Sequence, residues 1–151
     1  MPIVGRDVEI VAAAVRAPRI ERASLFVSPQ KTGPKVEAFL KVMARDRLVE
    51  ASARYAAMAG REMGKVTLRD TRSRWGSCTG RGDLMYSWRL IMAPPEVLDY
   101  VAAHEVAHLV HLDHSADFWA LVERLCPGYA PQKSWLKRHG AGLHRFRFRG
   151  D

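Results

Sequence analysis

Residues 101–119 read V-A-A-H-E-V-A-H-L-V-H-L-D-H-S-A-D-F-W. Within them His104, Glu105 and His108 form the pattern H-E-x-x-H, and His114 follows six residues after His108. The pattern has chemical meaning on a helix. There the two histidines lie one turn apart, offset by roughly 40° and about 6 Å along the axis, so both reach one ion from the same face. Two neutral imidazoles and a third ligand suit a single zinc ion, with one coordination position left to water. Glu105, next to the first ligand, projects toward that water and can act as its general base. A chain built around this stretch needs a buried helix and a downstream side chain that returns to it.

The flanking residues supply the helix. Pro94-Pro95 opens it, and Glu96 and Asp99 suit the positive end of its dipole. Val97, Leu98, Val101, Ala102, Val106, Ala107, Leu109 and Val110 cover nearly all its faces, which predicts burial. A lone histidine on such a helix is ordinarily a core residue with satisfied hydrogen bonds. Two at metal-ligand spacing, a glutamate and a third histidine within eleven residues weigh against that. His111 and His114 compete as third ligand. His111 shares the face but lies about 10 Å along the axis from His104, too far for one ion if the helix continues. His114 can fold back if the chain turns after about Val110, and it is preferred. Its spacing from His108 equals that of metzincins, but His111 stands where their glycine turns, and no methionine follows Met92 to make a Met-turn. The turn must be made otherwise, with Asp113 a candidate to take up the freed backbone donors.

Composition bounds the rest. At 151 residues with 48% apolar content, one compact domain with a hydrophobic core is expected. No apolar run is long enough for a membrane helix. The N-terminus lacks a signal peptide's layout, and Cys78 and Cys126 are far apart, which points to a cytoplasmic protein without a disulfide. A net charge of +8 favours acidic partners, nucleic acid among them. A merely solvated basic surface is the competing explanation.

Upstream, residues 8–11 (V-E-I-V) and 23–27 (A-S-L-F-V) read as strands separated by A-P-R-I-E-R, and S-P-Q-K-T-G-P reads as a loop. Residues 1–33 form a short N-terminal segment, and 34–151 the main domain. From Pro34, Leu40, Ala44, Leu48, Ala51, Tyr55 and Met58 recur at helical steps until Gly60 stops them. Residues 65–69 and 84–90 read as strands of an antiparallel hairpin, with 72–78 entering its turn. After the metal helix, Ser115 or Asp113 caps a helix running to about Cys126, Pro127-Gly128 breaks it, and 130–138 form a last short helix. The class is α+β: an antiparallel sheet packed against the H-E-x-x-H helix and further helices.

Other side chains carry weaker signals. Arg72, Arg74 and Arg89 are candidates for binding an anionic substrate or stabilising developing charge. Pairing with Asp70, Asp83 or Asp99 is the competing assignment, preferred for two of the three. Trp75, Trp88, Phe118 and Trp119 read as core, with Phe118 and Trp119 behind the metal site. Cys78 as a fourth ligand is less favoured than a buried inert thiol. Tyr86 and Tyr100 are candidates for a transition-state hydrogen bond. In the tail R-F-R-F-R, Arg145, Arg147 and Arg149 alternate with rings. This suits a strand with a basic face or an arm on nucleic acid, against a frayed terminus.

Several motifs occur in one order: R-S-R-W-G-S-C (72–78), W-R-L (88–90), H-E-V-A-H-L (104–109), H-S-x-x-F-W (114–119) and W-L-K (135–137). Together they resemble the YgjP-like metallopeptidase domain, a family of small zincins related to SprT-like and WLM proteins. The resemblance implies a zincin-like α+β fold, zinc ligands at His104, His108 and His114, and a catalytic glutamate at Glu105. Ser87 and Asp113 stand where the family often has asparagine. The family's N-terminal β region is usually longer, so this one looks cut short. The expected function is a zinc-dependent peptidase acting on a peptide or protein, with the segment around Met85 to Trp88 presenting an edge to substrate. The alternatives are nucleotide pyrophosphohydrolase activity at the same metal, which the resemblance also admits, and a nucleic-acid-associated protein with structural zinc.

Overall fold

The structure, a computed structural model, describes residues 1–149. Helix α1 (Thr32–Ala59) is its longest element. Leu40, Ala44, Leu48, Ala51 and Tyr55 are buried along one side of it, as their spacing predicts. The helix starts at Thr32 rather than Pro34, since proline is tolerated within a first turn. It stops at Gly60, whose φ of 69° lets its N–H turn back to the last carbonyls without a Cβ penalty.

Two small three-stranded sheets and a short ribbon accompany it. The ribbon pairs β1 (Pro2–Ile3) with β2 (Arg6–Asp7). The first sheet holds β3 (Glu9–Ala12), β4 (Arg19–Glu21) and β5 (Ser24–Val27) in the order β3-β5-β4. β3 and β5 match the two expected strands, and A-P-R-I-E-R, expected only to separate them, supplies β4.

The second sheet holds β6 (Val66–Arg69), β7 (Gly76–Cys78) and β8 (Leu84–Ser87) in the order β6-β8-β7. Here the expected hairpin is corrected. β6 and β8 run parallel, with Val66 opposite Leu84 and Arg69 opposite Ser87. The antiparallel partner of β8 is β7, with Gly76 opposite Tyr86 and Cys78 opposite Leu84. The turn at 79–83 closes on itself, Thr79 N–H to the Asp83 carbonyl and Gly82 N–H to the Thr79 carbonyl, both 2.9 Å. That turn folds β7 onto β8 and leaves β6 to pair on the far side. β8 is therefore paired on both sides, and the free edge expected at Met85 to Trp88 belongs to β7. The strand also ends sooner than expected. Ser87 Oγ accepts from the Arg89 N–H and starts a buried 3-10 helix, Trp88–Met92.

Helices α2 (Pro95–Ala107), α3 (Ala116–Leu125) and α4 (Ala130–His139) follow, then a 3-10 helix, Gly140–Arg145. α2 packs against α1, α3, α4 and β7. One cluster of buried residues runs from Ile3 and Leu25 through both long helices to Phe148. The tail is neither strand nor free arm. Phe148 is buried edge-on to Trp88, and Arg149 pairs with Glu37 at 3.3 Å. Among the described residues no helix is long and apolar enough to cross a membrane.

Candidate metal centre

Helix α2 ends at Ala107, three residues earlier than the apolar pattern suggests, and His108 is its C-cap. The chain tightens into i→i+3 bonds: His108 N–H to Glu105 at 3.1 Å, Leu109 to Val106 at 2.9 Å, and Val110 to Ala107 at 3.1 Å. This backbone tightening makes the turn for which a glycine or Asp113 was expected, and Asp113 is exposed. Ser115 then caps α3, its Oγ accepting from the Phe118 N–H at 3.2 Å. His114, one residue before that cap, is carried back over α2.

The result is a triangle of imidazoles. Ring centroids lie 5.1 Å apart for His104 and His108, 5.2 Å for His104 and His114, and 4.9 Å for His108 and His114. Their ligand nitrogens all fall within 4.8 Å of one another. The Nε2 atoms of His104 and His114 are 3.3 Å apart. A tetrahedral zinc with bonds of about 2.0–2.1 Å has nitrogen–nitrogen edges of about 3.3–3.4 Å. The donor set therefore fits zinc. His111 is not in the triangle. Its carbonyl instead accepts from His108 Nδ1 at 3.0 Å, which fixes the tautomer and leaves Nε2 of His108 to face a ligand.

Packing holds the triangle rigid. The fully buried Phe118 ring lies 5.0, 4.4 and 5.0 Å from the rings of His104, His108 and His114. Trp119 stacks on His114 and on Tyr129, with Lys133 Nζ 4.0 Å from its centroid. Tyr100 Oη reaches to 3.5 Å from His104 Nδ1. Burial, helped by His108, His114 and Lys133, depresses His104 from 6.5 to about 4. Burial also lowers His108. Burial thus favours the neutral form of His104 and His108, the form that metal ligation requires.

Glu105 is 6% exposed. Burial raises its carboxyl from 4.5 to about 7, opposed only in part by the charge of Arg74. It lines a cleft of about 200 Å³ together with His104, Arg74, Trp75, Gly76 and Tyr100. Gly76 is a residue whose role sequence reasoning missed. A Cβ built there would lie 2.9 Å from Glu105 Cγ and 3.0 Å from its Oε2. The glycine lets β7 and α2 meet with the carboxylate between them. Its signal appears only once residues 76–78 are known to be a strand, where a glycine marks a close approach.

The three arginine candidates separate. Arg74 lines the cleft. Arg72 is exposed and does not line it. Arg89 is 6% exposed and lies elsewhere, its guanidinium binding Asp70 at 2.7 and 3.2 Å and the carbonyls of Leu143 and Phe146 at 2.9 Å. Cys78 is not in the metal-ligating group, and burial pushes its thiol up to about 11. Tyr86 is buried against Ser52, its hydroxyl 2.8 Å from Ser52 Oγ. Of the tryptophans, Trp75 lines the cleft and stacks on His144 at 5.2 Å, whereas Trp88 is core.

Comparison with known proteins agrees with this architecture. Residues 3–139 match the family model described as YgjP-like, metallopeptidase domain. A solved structure, the metallopeptidase zymogen of Pyrococcus abyssi abylysin, is similar at 25% identity and a TM-score of 0.52, covering 67% of this chain and 95% of that one. No curated protein matches the chain significantly. With a family match spanning most of its length, a mixed α+β fold of the zincin kind and three converging imidazoles, the chain belongs to the YgjP-like metallopeptidase domain family.

Proposed function

We propose that this protein is a zinc metallopeptidase in which Glu105 is the catalytic base. The observation that carries the reading is the convergence of three imidazole nitrogens within 4.8 Å, one of them on His104, which shares a cleft with the buried carboxylate of Glu105. His104, His108 and His114 would hold the ion through Nε2. Zinc, when bound, supplies Lewis acidity that acidifies water and polarises a carbonyl. The protein's own part is positional and proton-handling. Phe118 and Trp119 keep the imidazoles fixed, and the His111 carbonyl selects the His108 tautomer. Glu105, poised near neutral pH by burial, takes a proton from water at its carboxylate and returns it to the departing amine nitrogen. Arg74, across the cleft, tempers how far burial can weaken that acid. An extended peptide would pair with the free edge of β7, beside Gly76 and Glu105.

Nucleotide hydrolysis at the same ion is the weaker reading. Arg89, one of its three candidate phosphate contacts, is already engaged by Asp70 and two carbonyls.

Wild type and Glu105→Gln are to be purified and compared for bound zinc, cleavage of an unfolded protein and hydrolysis of nucleoside triphosphates. Near-stoichiometric zinc in both is expected, with proteolysis reduced about a thousandfold or more in the variant. Undiminished proteolysis in Glu105→Gln would sink the scheme. His114→Ala is expected to lose zinc while His111→Ala keeps it.

A further inference from the structure

The second sheet has one face turned to α1 and α2 and another turned outward. Val66, Leu84 and Tyr86 pack into the core, and Gly76 meets Glu105. On the outward side lies a groove of about 370 Å³. Its floor is the cross-strand row Thr67, Met85 and Ser77, which the register places side by side. Lys65, Arg69 and Arg74 stand around it. Among the described residues, none of these three side chains forms an ion pair. The one carboxylate in the lining, Asp83, is engaged by Arg81 at 3.1 Å and by the Lys65 N–H at 3.1 Å. Thr71 and Thr79 also line the groove, but their hydroxyls are engaged locally, Thr71 Oγ1 donating to the Arg74 carbonyl and Thr79 Oγ1 accepting from the Asp83 N–H.

Arg74 lines both this groove and the cleft that holds His104 and Glu105, so the two adjoin at that side chain. Cations that form no ion pair, around a floor carrying the hydroxyls of Thr67 and Ser77 beside the Met85 side chain, are chemistry for an anionic guest. No aromatic ring lines the groove, which removes the stacking that single-stranded nucleic acid uses. Carboxylate side chains on an extended polypeptide need only the cations and hydroxyls that are present.

We propose that the outward face of this sheet, through Lys65, Arg69 and Arg74, binds an acidic segment of the polypeptide substrate and leads it into the metal cleft. The consequence for cleavage rests on the peptidase reading above; the binding rests on the groove alone.

Two short labelled peptides test it, one with alternating glutamate and glycine and one with glutamine in place of glutamate. Binding to the full chain is followed by fluorescence anisotropy. Cleavage is followed with each sequence flanking a common scissile segment. The acidic peptide is expected to bind about tenfold more tightly at low salt, with the advantage largely gone at ~0.5 M salt. The cleavage ratio, acidic over neutral, is expected to favour the acidic substrate mainly through KM. In Lys65→Glu/Arg69→Glu both ratios should invert. Equal binding of the two peptides by wild type, or a preference that survives the double charge reversal, overturns the groove. Tight acidic binding without cleavage of either peptide keeps the groove and refutes the peptidase reading. Cleavage of both with no preference does the opposite. An oligothymidylate that outcompetes the acidic peptide at equal salt, and loses binding in the same double variant, overturns the groove as a polypeptide site.

Discussion

Sheets β3-β5-β4 and β6-β8-β7 are built alike. In each the first and third strands run parallel, the second returns antiparallel against the third, and the last strand in sequence sits in the centre. The pairing is alike in detail as well. Arg19 of β4 faces Phe26, the third residue of its central strand, as Gly76 of β7 faces Tyr86, the third residue of β8. Their surroundings differ. The outer strands of the first sheet are half open to solvent, whereas all of β8 is buried and β7 lies against α2. Identical topology thus meets the candidate metal centre in one place only. What separates the two is a missing Cβ at Gly76, which admits a helix bearing a buried carboxylate.

Gly76→Val is the sharpest way to break that comparison. Valine suits a strand, so the sheet itself should tolerate it. Its Cβ would stand 2.9 Å from Glu105 Cγ, and the carboxylate would have to move. Peptide cleavage is expected to fall about a hundredfold or more, with zinc content unchanged. Full activity in this variant would show that the close approach carries no function.

The second effect is titration on the side of the second sheet. In metal-free protein Glu105 has its folded value raised from 4.5 to about 7. Its protonated form therefore contributes stability that is fully present below 4.5 and lost as pH rises through about 7. His104 has the opposite sign. Its folded value is lowered from 6.5 to about 4, so its contribution is present above 6.5 and lost as pH falls through about 4. Denaturation of metal-free wild type and Glu105→Gln between about pH 5 and pH 8 separates the two. Wild type should lose roughly 2 kcal/mol relative to the variant on the way up. A constant difference between them would remove the raised carboxyl from the account.

Next comes Arg89, which ties β6's end to the tail through Asp70 and the Leu143 and Phe146 carbonyls. Burial alone would push Asp70 up, but the hydrogen bond and charge of Arg89 hold its carboxyl below the usual range. Arg89→Met keeps the volume and leaves both carbonyls without their donor. A loss of about 2 kcal/mol in denaturant unfolding is expected, with zinc binding intact. Loss of zinc at unchanged stability would place Arg89 in the metal site after all.

What could be read from the residues follows a physical line. Helix α1, α2 and the pairing of His104 with His108 were legible because helical spacing and caps are local. The preference for His114 over His111 rested on the rise of a continuing helix, a premise that the end of α2 at Ala107 removes; the structure brings His114 to His104 and His108 through the turn instead. The parallel pairing of β6 with β8 was not, since alternation in 65–69 and 84–90 says which side chains face inward but not which strand lies alongside. Residues 88–90, the start of the 3-10 helix Trp88–Met92, read as the end of a strand because most of that helix's side chains are large and apolar, and only the Ser87 cap distinguishes it. The end of α2 at Ala107 was masked by Leu109 and Val110, which stay apolar through the turn. The docking of Phe148 was hidden because it depends on Gly33, where a Cβ would come within 2.0 Å of the Phe148 carbonyl oxygen, and on Trp88, distant in the chain.

The smallest effect is the matched change in the first sheet. Arg19 occupies the place in β4 that Gly76 occupies in β7, and valine is again a good strand residue. Its side chain is 60% exposed, pairs with Glu21 at 3.2 Å and sits 5.8 Å over the Phe26 ring. A pair this exposed contributes about 0.5 kcal/mol or less. Arg19→Val should therefore leave stability within about 0.5 kcal/mol and peptide cleavage within about twofold, measured beside Gly76→Val on the same substrate. If Arg19→Val lowered cleavage as far as Gly76→Val does, both sheets would be coupled to the metal cleft. The contact between Gly76 and Glu105 would then cease to explain why only one of them carries chemistry.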